Sequence, residues 1–345
     1  MLMKIKDLSI TNFTAFEQAQ FNFCEGINVL IGANGTGKTH AMKAMYAVVP
    51  DSRDWYKIFN LPKLQYLIRN NSEDKDFVSG ITSIQNQNKD CMEVIFHTKS
   101  RDRAAEIKIN VDSYNTLSPI YLPTVEMLSI YDHFFATYEK REIPYDMICY
   151  NLALALNAAI LRKTHADYQS VEPLITHLQE MITGSKTQEA DVIVKEAEHF
   201  YFHLNGNKLD VNVVADGYRK LGTLFYLLRN GSLTTKSILF WDEPEANLNP
   251  KLIVKVAKVL QALAASGMQI FIATHDYLLS HELSLLAEYP SENPMALKFF
   301  SLYKPDEPSS VVVEEGDSLA DMTHNSILEE FAAHYDREAE LFSKG

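Results

Sequence analysis

Cysteine is scarce in this 345-residue chain: Cys24, Cys91 and Cys149 stand far apart and form no CxxC pair. That excludes a disulfide framework and a zinc site of the usual spacing, and it points to a reducing compartment, the cytoplasm. Long apolar runs are missing too. The longest, Met147 to Leu161, is broken by Asn151 and Asn157 and falls short of the ~18 residues that span a bilayer, so no membrane contact is expected. Positive charge is in deficit, 32 Lys and Arg against 45 Asp and Glu, a formal net charge of −13. No general positive field therefore covers the surface to draw in a phosphate backbone, although a local basic patch is compatible with that sum. The opening Met1-Leu2-Met3-Lys4-Ile5-Lys6-Asp7 interleaves charge with apolar residues and lacks the uninterrupted core of a secretory signal, so no export is expected. Internal repeats and low-complexity segments are absent as well.

What remains is the composition of an ordinary globular protein, 46% hydrophobic and 22% charged, with length enough for one large domain or one carrying a sizeable insertion. Alternation predicts strands over Lys4–Ile10 and Ala19–Phe23, and the apolar run Ile27–Ile31 predicts a buried central strand. Three glycines follow within six positions, and then Thr39–Val49, free of Gly and Pro, predicts a helix. From Pro50 to Asn115 the pattern is irregular, with a polar run at 70–75 and short strands at Met92–His97 and Glu106–Val111, and it reads as a peripheral lobe. Helical periodicity occupies Met127–Arg141, Tyr145–Arg162 and Val171–Ile182. A hairpin, Phe200–Leu204 and Leu209–Val214, turns at Asn205-Gly206-Asn207. Helix Tyr218–Arg229, strand Ile238–Trp241, helix Lys251–Ala265, strand Gln269–Ala273 and helix Tyr277–Glu288 then alternate, which implies a mainly parallel sheet. The acidic, amphipathic tail Leu319–Phe342 reads as a packing helix with a solvated face.

Gly32-Ala33-Asn34-Gly35-Thr36-Gly37-Lys38-Thr39 matches GxxxxGK[ST] between a predicted buried strand and a predicted helix, the context that gives this motif its meaning. Such a loop turns successive N–H groups inward beside a helix N-terminus, so phosphate oxygens meet donors and a partial positive charge. Lys38 has the reach for β- and γ-phosphates, and the Thr39 hydroxyl is a ligand for Mg²⁺. A second carboxylate on the metal side is supplied by Asp242, at the end of the strand Ile238–Trp241, and adjacent Glu243 is suited to polarise an attacking water. His275 ends another strand, where ligands of open α/β sheets bind, and could hydrogen-bond the γ-phosphate or the water. Phe13 and Phe16 are candidates for packing an adenine, with core packing an equal reading.

These elements resemble the nucleotide-binding core of the ABC-type ATPases, the class that includes SMC, RecF and OLD-family proteins, and the opening Lys4–Phe13 is similar to the first strand and turn of the SMC and RecF branch. The resemblance implies an α/β P-loop NTPase: an ABC-type ATPase head with a mainly parallel core sheet, an antiparallel β subdomain and an inserted helical lobe. It makes Gly32–Thr39 Walker A, Asp242 and Glu243 Walker B, Glu245–Pro250 the D-loop and His275 the switch histidine. It divides the chain into an N-terminal ATPase lobe (1–50), an inserted β and helical lobe (51–200) and a C-terminal ATPase lobe (201–345). The class also has a signature segment that meets the γ-phosphate held by a second subunit. Here the candidate is Val214–Lys220 around Gly217, where Asp216 replaces the usual serine, a negative charge that Arg219, Lys220 or a metal has to compensate. Capping of a helix by Asp216 is the competing reading. The γ-phosphate-sensing residue is open among Gln85, Gln87 and Glu126.

The 177 residues between Thr39 and Gly217 are too few for an SMC coiled coil and carry no sustained heptads. Pro119–Ser129 and Asn325–Phe331 look similar to compact stand-alone ATPase subunits of bacterial phage-defence and toxin-like operons. The 70 residues after His275 show no acidic metal cluster of a nuclease domain. The resemblance thus implies a cytoplasmic, ATP- and Mg²⁺-dependent ATPase that closes as a homodimer around ATP and regulates a separate effector, a nuclease or toxin. A RecF-like DNA-binding repair ATPase is the alternative, which leaves nucleic acid open as a partner, and a transporter nucleotide-binding subunit is a weaker third.

Overall fold

The apolar run Ile27–Ile31 is a strand with every residue buried in the computed structural model, and the glycine-rich stretch after it leads directly into a helix. The structure describes residues 4–48, 55–60, 76–85, 91–99, 105–110, 118–140, 143–185, 191–289, 295–305 and 310–344. In chain order the elements are β1 (Asp7–Phe13), β2 (Phe16–Asn22), β3 (Ile27–Ile31), α1 (Lys38–Val48), α2 (Trp55–Ile58), β4 (Asp76–Gln85), β5 (Cys91–Lys99), β6 (Ala105–Asn110) and β7 (Ser118–Leu122). The middle holds α3 (Phe134–Glu139), α4 (Met147–Asn157), α5 (Ala166–Thr183), β8 (Ile193–Glu196), β9 (His199–Leu204) and β10 (Asn207–Asp210). The chain continues through α6 (Asp216–Arg229), β11 (Ser237–Asp242), α7 (Pro250–Ala265), β12 (Gln269–Thr274), α8 (Tyr277–Glu288), β13 (Leu297–Tyr303), β14 (Val312–Gly316) and α9 (Ser326–Lys344). Among the described residues no helix is long and apolar enough to cross a membrane.

Two compact units divide the chain, one of residues 1–3, 49–62 and 115–271, the other of 4–48, 63–114 and 272–345, so that each third expected from the sequence contributes to both. In the second unit β1 pairs antiparallel with β2 and, on its other edge, with β4, which continues through β5 to β6. The irregular stretch after Pro50 therefore extends the amino-terminal sheet. β4 escaped the periodicity argument, and the polar run at 70–75 lies outside the described residues. β3 pairs in parallel with β13, and β13 antiparallel with β14. In the first unit β7 and β11 are parallel, from Ser118 opposite Ser237 to Leu122 opposite Trp241, and β8–β10 form a small antiparallel sheet turned at Asn205 and Gly206, both at positive φ.

The helical stretch differs from the periodicity reading for local reasons. Met127–Ser129 form a turn because the Glu126 carboxylate accepts the N–H groups of Leu128 (2.7 Å) and Ser129 (3.1 Å), and helix starts at Phe134, after His133 at φ 59°. α4 starts where Asp146 caps Ile148 and Cys149, and it stops short of Arg162 because the chain turns extended at Ala158 and the Leu161 N–H is taken by the Arg229 carbonyl at 3.0 Å. α5 begins at Ala166, capped by His165, and accommodates Pro173 inside it. The expected strand to Val214 ends at Asp210, whose carboxylate accepts the Asn212 N–H at 2.8 Å and starts a 3-10 turn over Val211–Val213.

β14 is tied to the approach to α9 by Glu314, whose carboxylate accepts the N–H groups of Thr323 (2.8 Å) and His324 (2.9 Å) and the Thr323 hydroxyl. Burial pushes this carboxyl up, but those hydrogen bonds outweigh it and bring it from 4.5 down to about 2. The folded protein thus holds the proton less tightly than the unfolded chain, so the stabilisation is complete above pH 4.5 and is lost as pH falls towards about 2. Glu314→Gln should lower the Tm near neutral pH, and its gap from wild type should close across that acid window. A gap constant with pH, followed by circular dichroism, would contradict this.

Candidate phosphate loop and carboxylate strand

In the second unit, β3 and α1 bracket the loop Gly32–Gly37. Gly32 has φ 146°, and a Cβ there would lie 2.3 Å from the Leu302 carbonyl oxygen on β13. Gly37 has φ 90°, and a Cβ there would meet Cε2 of Phe16 at 2.8 Å. Backbone angle and neighbours both require glycine at these two places. Ala33, Asn34 and Gly35 are exposed, whereas Thr36 is buried and donates its hydroxyl to the Ala33 carbonyl at 2.9 Å. The ammonium of Lys38, a residue 7% exposed, donates to the carbonyls of Gly32 (2.6 Å) and Ala33 (3.0 Å). Half-buried Thr39 is the second residue of α1. Donors at the start of a helix, a cation aimed back into the loop and an exposed loop crown fit an anion such as a nucleotide phosphate.

Phe13 and Phe16 are fully buried. Phe16 lies under Gly37 and meets Phe21 edge-on at 6.1 Å, so these rings serve the core and offer no open face to a base. In the same unit His275 is exposed just after β12, in the turn where Asp276 caps Leu279 of α8 at 2.7 Å.

In the first unit, β11 is buried along its length and ends at Asp242, 5% exposed. Its carboxylate accepts the Tyr121 hydroxyl at 3.2 Å, across from β7. Half-buried Glu243 follows at φ 49°, left-handed for a residue with a side chain. The turn after it closes through Ala246 N–H to Glu243 O (3.1 Å) and Leu248 N–H to Glu245 O (2.9 Å), before Asn249 caps α7. Among the described residues no group of three or more His, Cys, Asp or Glu is gathered to hold a metal alone. One carboxylate at a strand end suits magnesium, which keeps waters and substrate phosphates among its ligands.

Gly217 is the second residue of α6 and is buried; a Cβ there would lie 2.0 Å from Cδ2 of Leu252 and 2.8 Å from Cδ2 of Leu248. A side chain there would press on the ends of two leucine side chains, which must shift to make room. The charge of Asp216 is met by Arg219, which bonds its carboxylate, pairs with Glu126 at 2.9 Å and donates to the Val214 carbonyl at 2.8 Å. Lys220 instead donates to the carbonyls of Glu243 (3.2 Å), Pro244 (3.4 Å) and Ala246 (2.7 Å). Of the three candidate sensing residues, Gln85 ends β4, Gln87 lies outside the described residues, and Glu126 follows β7, the parallel neighbour of β11. Sequence reasoning missed Tyr121 and the carbonyl contacts of Lys220. Both join residues remote in the chain.

Over residues 27–280 the chain matches the family described as "AAA domain, putative AbiEii toxin, Type IV TA system". An SMC head, solved bound to the C-winged helix domain of ScpA, aligns with a TM-score of 0.58 at 14% identity, over 91% of this chain and 98% of that one. At that identity the likeness shows the fold: an α/β head in which parallel strands lie beside antiparallel strands and helices. The DNA replication and repair protein RecF of Phocaeicola vulgatus is 23% identical over 248 residues, 66% of this chain and 64% of its own. RecF of Macrococcus caseolyticus is 39% identical over 46 residues, 13% of this chain and 12% of its own. The chain therefore spans less than two thirds of the length of these curated relatives.

Proposed function

Because the chain belongs to this AAA-domain family, matched over residues 27–280, we propose that it is an ATP-binding ATPase that converts ATP and water to ADP and phosphate. The observation that carries the reading is the phosphate loop, with two glycines dictated by backbone and neighbours and the buried ammonium of Lys38 turned into it. In this reading the N–H groups of Gly32–Thr39 hold phosphate oxygens, and Lys38 meets the β- and γ-phosphates. The Thr39 hydroxyl and the Asp242 carboxylate would hold magnesium, which supplies charge neutralisation when bound. Glu243 takes the proton of the attacking water, and His275 hydrogen-bonds that water or the γ-phosphate.

ATP would close a homodimer, with the start of α6 around Gly217 of one subunit meeting the phosphate held by the other. The bond from Arg219 to Asp216 supports this by offsetting the charge that would repel a phosphate. Closure and reopening then form a two-state device able to gate a separate effector, a nuclease or toxin, in phage defence. The test is direct. Purified protein should hydrolyse ATP with magnesium and stop on chelation, and a non-hydrolysable ATP analogue should shift its sizing profile from monomer to dimer. Absence of nucleotide binding by calorimetry would refute the reading.

The RecF match over 66% of the chain favours a second reading, a DNA-binding repair ATPase. It predicts turnover stimulated by duplex DNA, with an affinity that falls steeply as salt rises. The net charge of −13 weighs against it.

A further inference from the structure

We propose that Lys220 is a positioning residue for Glu243, holding by its ammonium the backbone turn that aims the carboxylate. This rests on the reading of Glu243 as the base.

The turn after β11 is under two constraints. Glu243 sits at φ 49°, a conformation that costs a residue with a Cβ roughly 1–2 kcal/mol. The carbonyls of Glu243, Pro244 and Ala246 also converge on one point within the first unit, where a buried oxygen without a donor would be costly. Lys220 occupies that point. The residue is 7% exposed, and its ammonium donates to all three oxygens at 3.2, 3.4 and 2.7 Å. A compact cation with three rotatable donors suits three carbonyls spread around it, where a planar guanidinium would favour a flat, two-pronged acceptor. Burial draws the ammonium down from its ordinary range, while the charges of Glu245, Asp216, Glu243 and Glu126 oppose that and favour the cation. The Glu243 carbonyl also accepts the Ala246 N–H at 3.1 Å, so removing the ammonium takes one of its donors from a turn that already carries strain.

The experiment compares Lys220→Met and Lys220→Gln, with Lys220→Arg as the rescue variant, by amide hydrogen exchange and ATPase kinetics on the full chain. In Lys220→Met and Lys220→Gln, exchange of the Ala246 and Leu248 amides should rise ~10-fold or more while that of the β11 interior stays near wild type. The kcat should fall ~100-fold, the scale of a small misplacement of a reacting group, with the KM for ATP within about threefold of wild type. Lys220→Arg should recover part of the kcat. Wild-type protection of the turn in Lys220→Met and Lys220→Gln would overturn the proposal, as would a kcat loss matched by a rise in KM. Failure of both variants to fold would also overturn it, by making Lys220 a residue of general stability. The two readings fail separately: a wild-type rate in Glu243→Gln removes the base, whereas unchanged exchange in Lys220→Met removes the positioning.

Discussion

Glu243→Gln should lower kcat for ATP hydrolysis by ~1,000-fold, within the range expected for losing a positioned general base, while ATP affinity stays near wild type. The substitution preserves side-chain length and the backbone at φ 49°, because glutamate and glutamine bear the same strain there. It also leaves the Lys220 and Ala246 donors on the Glu243 carbonyl in place, since they address the backbone. What disappears is basicity. If hydrolysis reopens the proposed dimer, this variant should accumulate as the closed form in ATP and magnesium and elute as a dimer on gel filtration. Turnover near wild type would remove Glu243 from the chemistry. Lost turnover without a trapped dimer would keep the base and discard the ATP sandwich.

The parts of the site that could be read from sequence are those whose physics is local. β3 shows itself as an unbroken apolar run, and the glycines after it mark a backbone that other residues could not adopt. α7 and α8 start within one residue of the expected Lys251 and Tyr277, and side-chain caps from Asn249 and Asp276, worth ~1 kcal/mol each, fix those starts. The outcome was poorer wherever a residue's partner lies far along the chain. β13 and β4 find their places by pairing with β3 and β1, and no short window of sequence contains such a partner. Tyr121 reaches Asp242 across 121 positions, and Lys220 reaches the turn after β11 across 23 to 26. Periodicity was overruled outright at Glu126: its carboxylate captured two backbone N–H groups and replaced the first turns of an expected helix. Asp216 is the counter-example on the side of charge: of the compensating groups named from the sequence, Arg219, one helical turn on, is the one bonded to its carboxylate.

Lys38→Ala should weaken ATP binding by ~100-fold or more and bring hydrolysis below detection, since losing one partner of a buried charged contact costs ~2–5 kcal/mol. Two functions of the side chain end together in this variant. The ammonium is the one cation supplied from within the Gly32–Thr39 motif, and it is already desolvated beside the Gly32 and Ala33 carbonyls, so a triphosphate gains its charge without a large new desolvation cost. Removing it also strips those carbonyls of a donor and loosens the loop that presents the N–H groups. Lys38→Met separates the two effects: it keeps the stem that packs beneath the loop and removes the charge. Comparable losses of affinity in Ala and Met, measured by calorimetry with Tm values close to wild type, would assign the effect to the charge. Recovery of binding in Met would assign it to loop packing. ATP affinity at wild-type strength in both variants would remove Lys38, and with it the phosphate-loop reading, from the account of this protein.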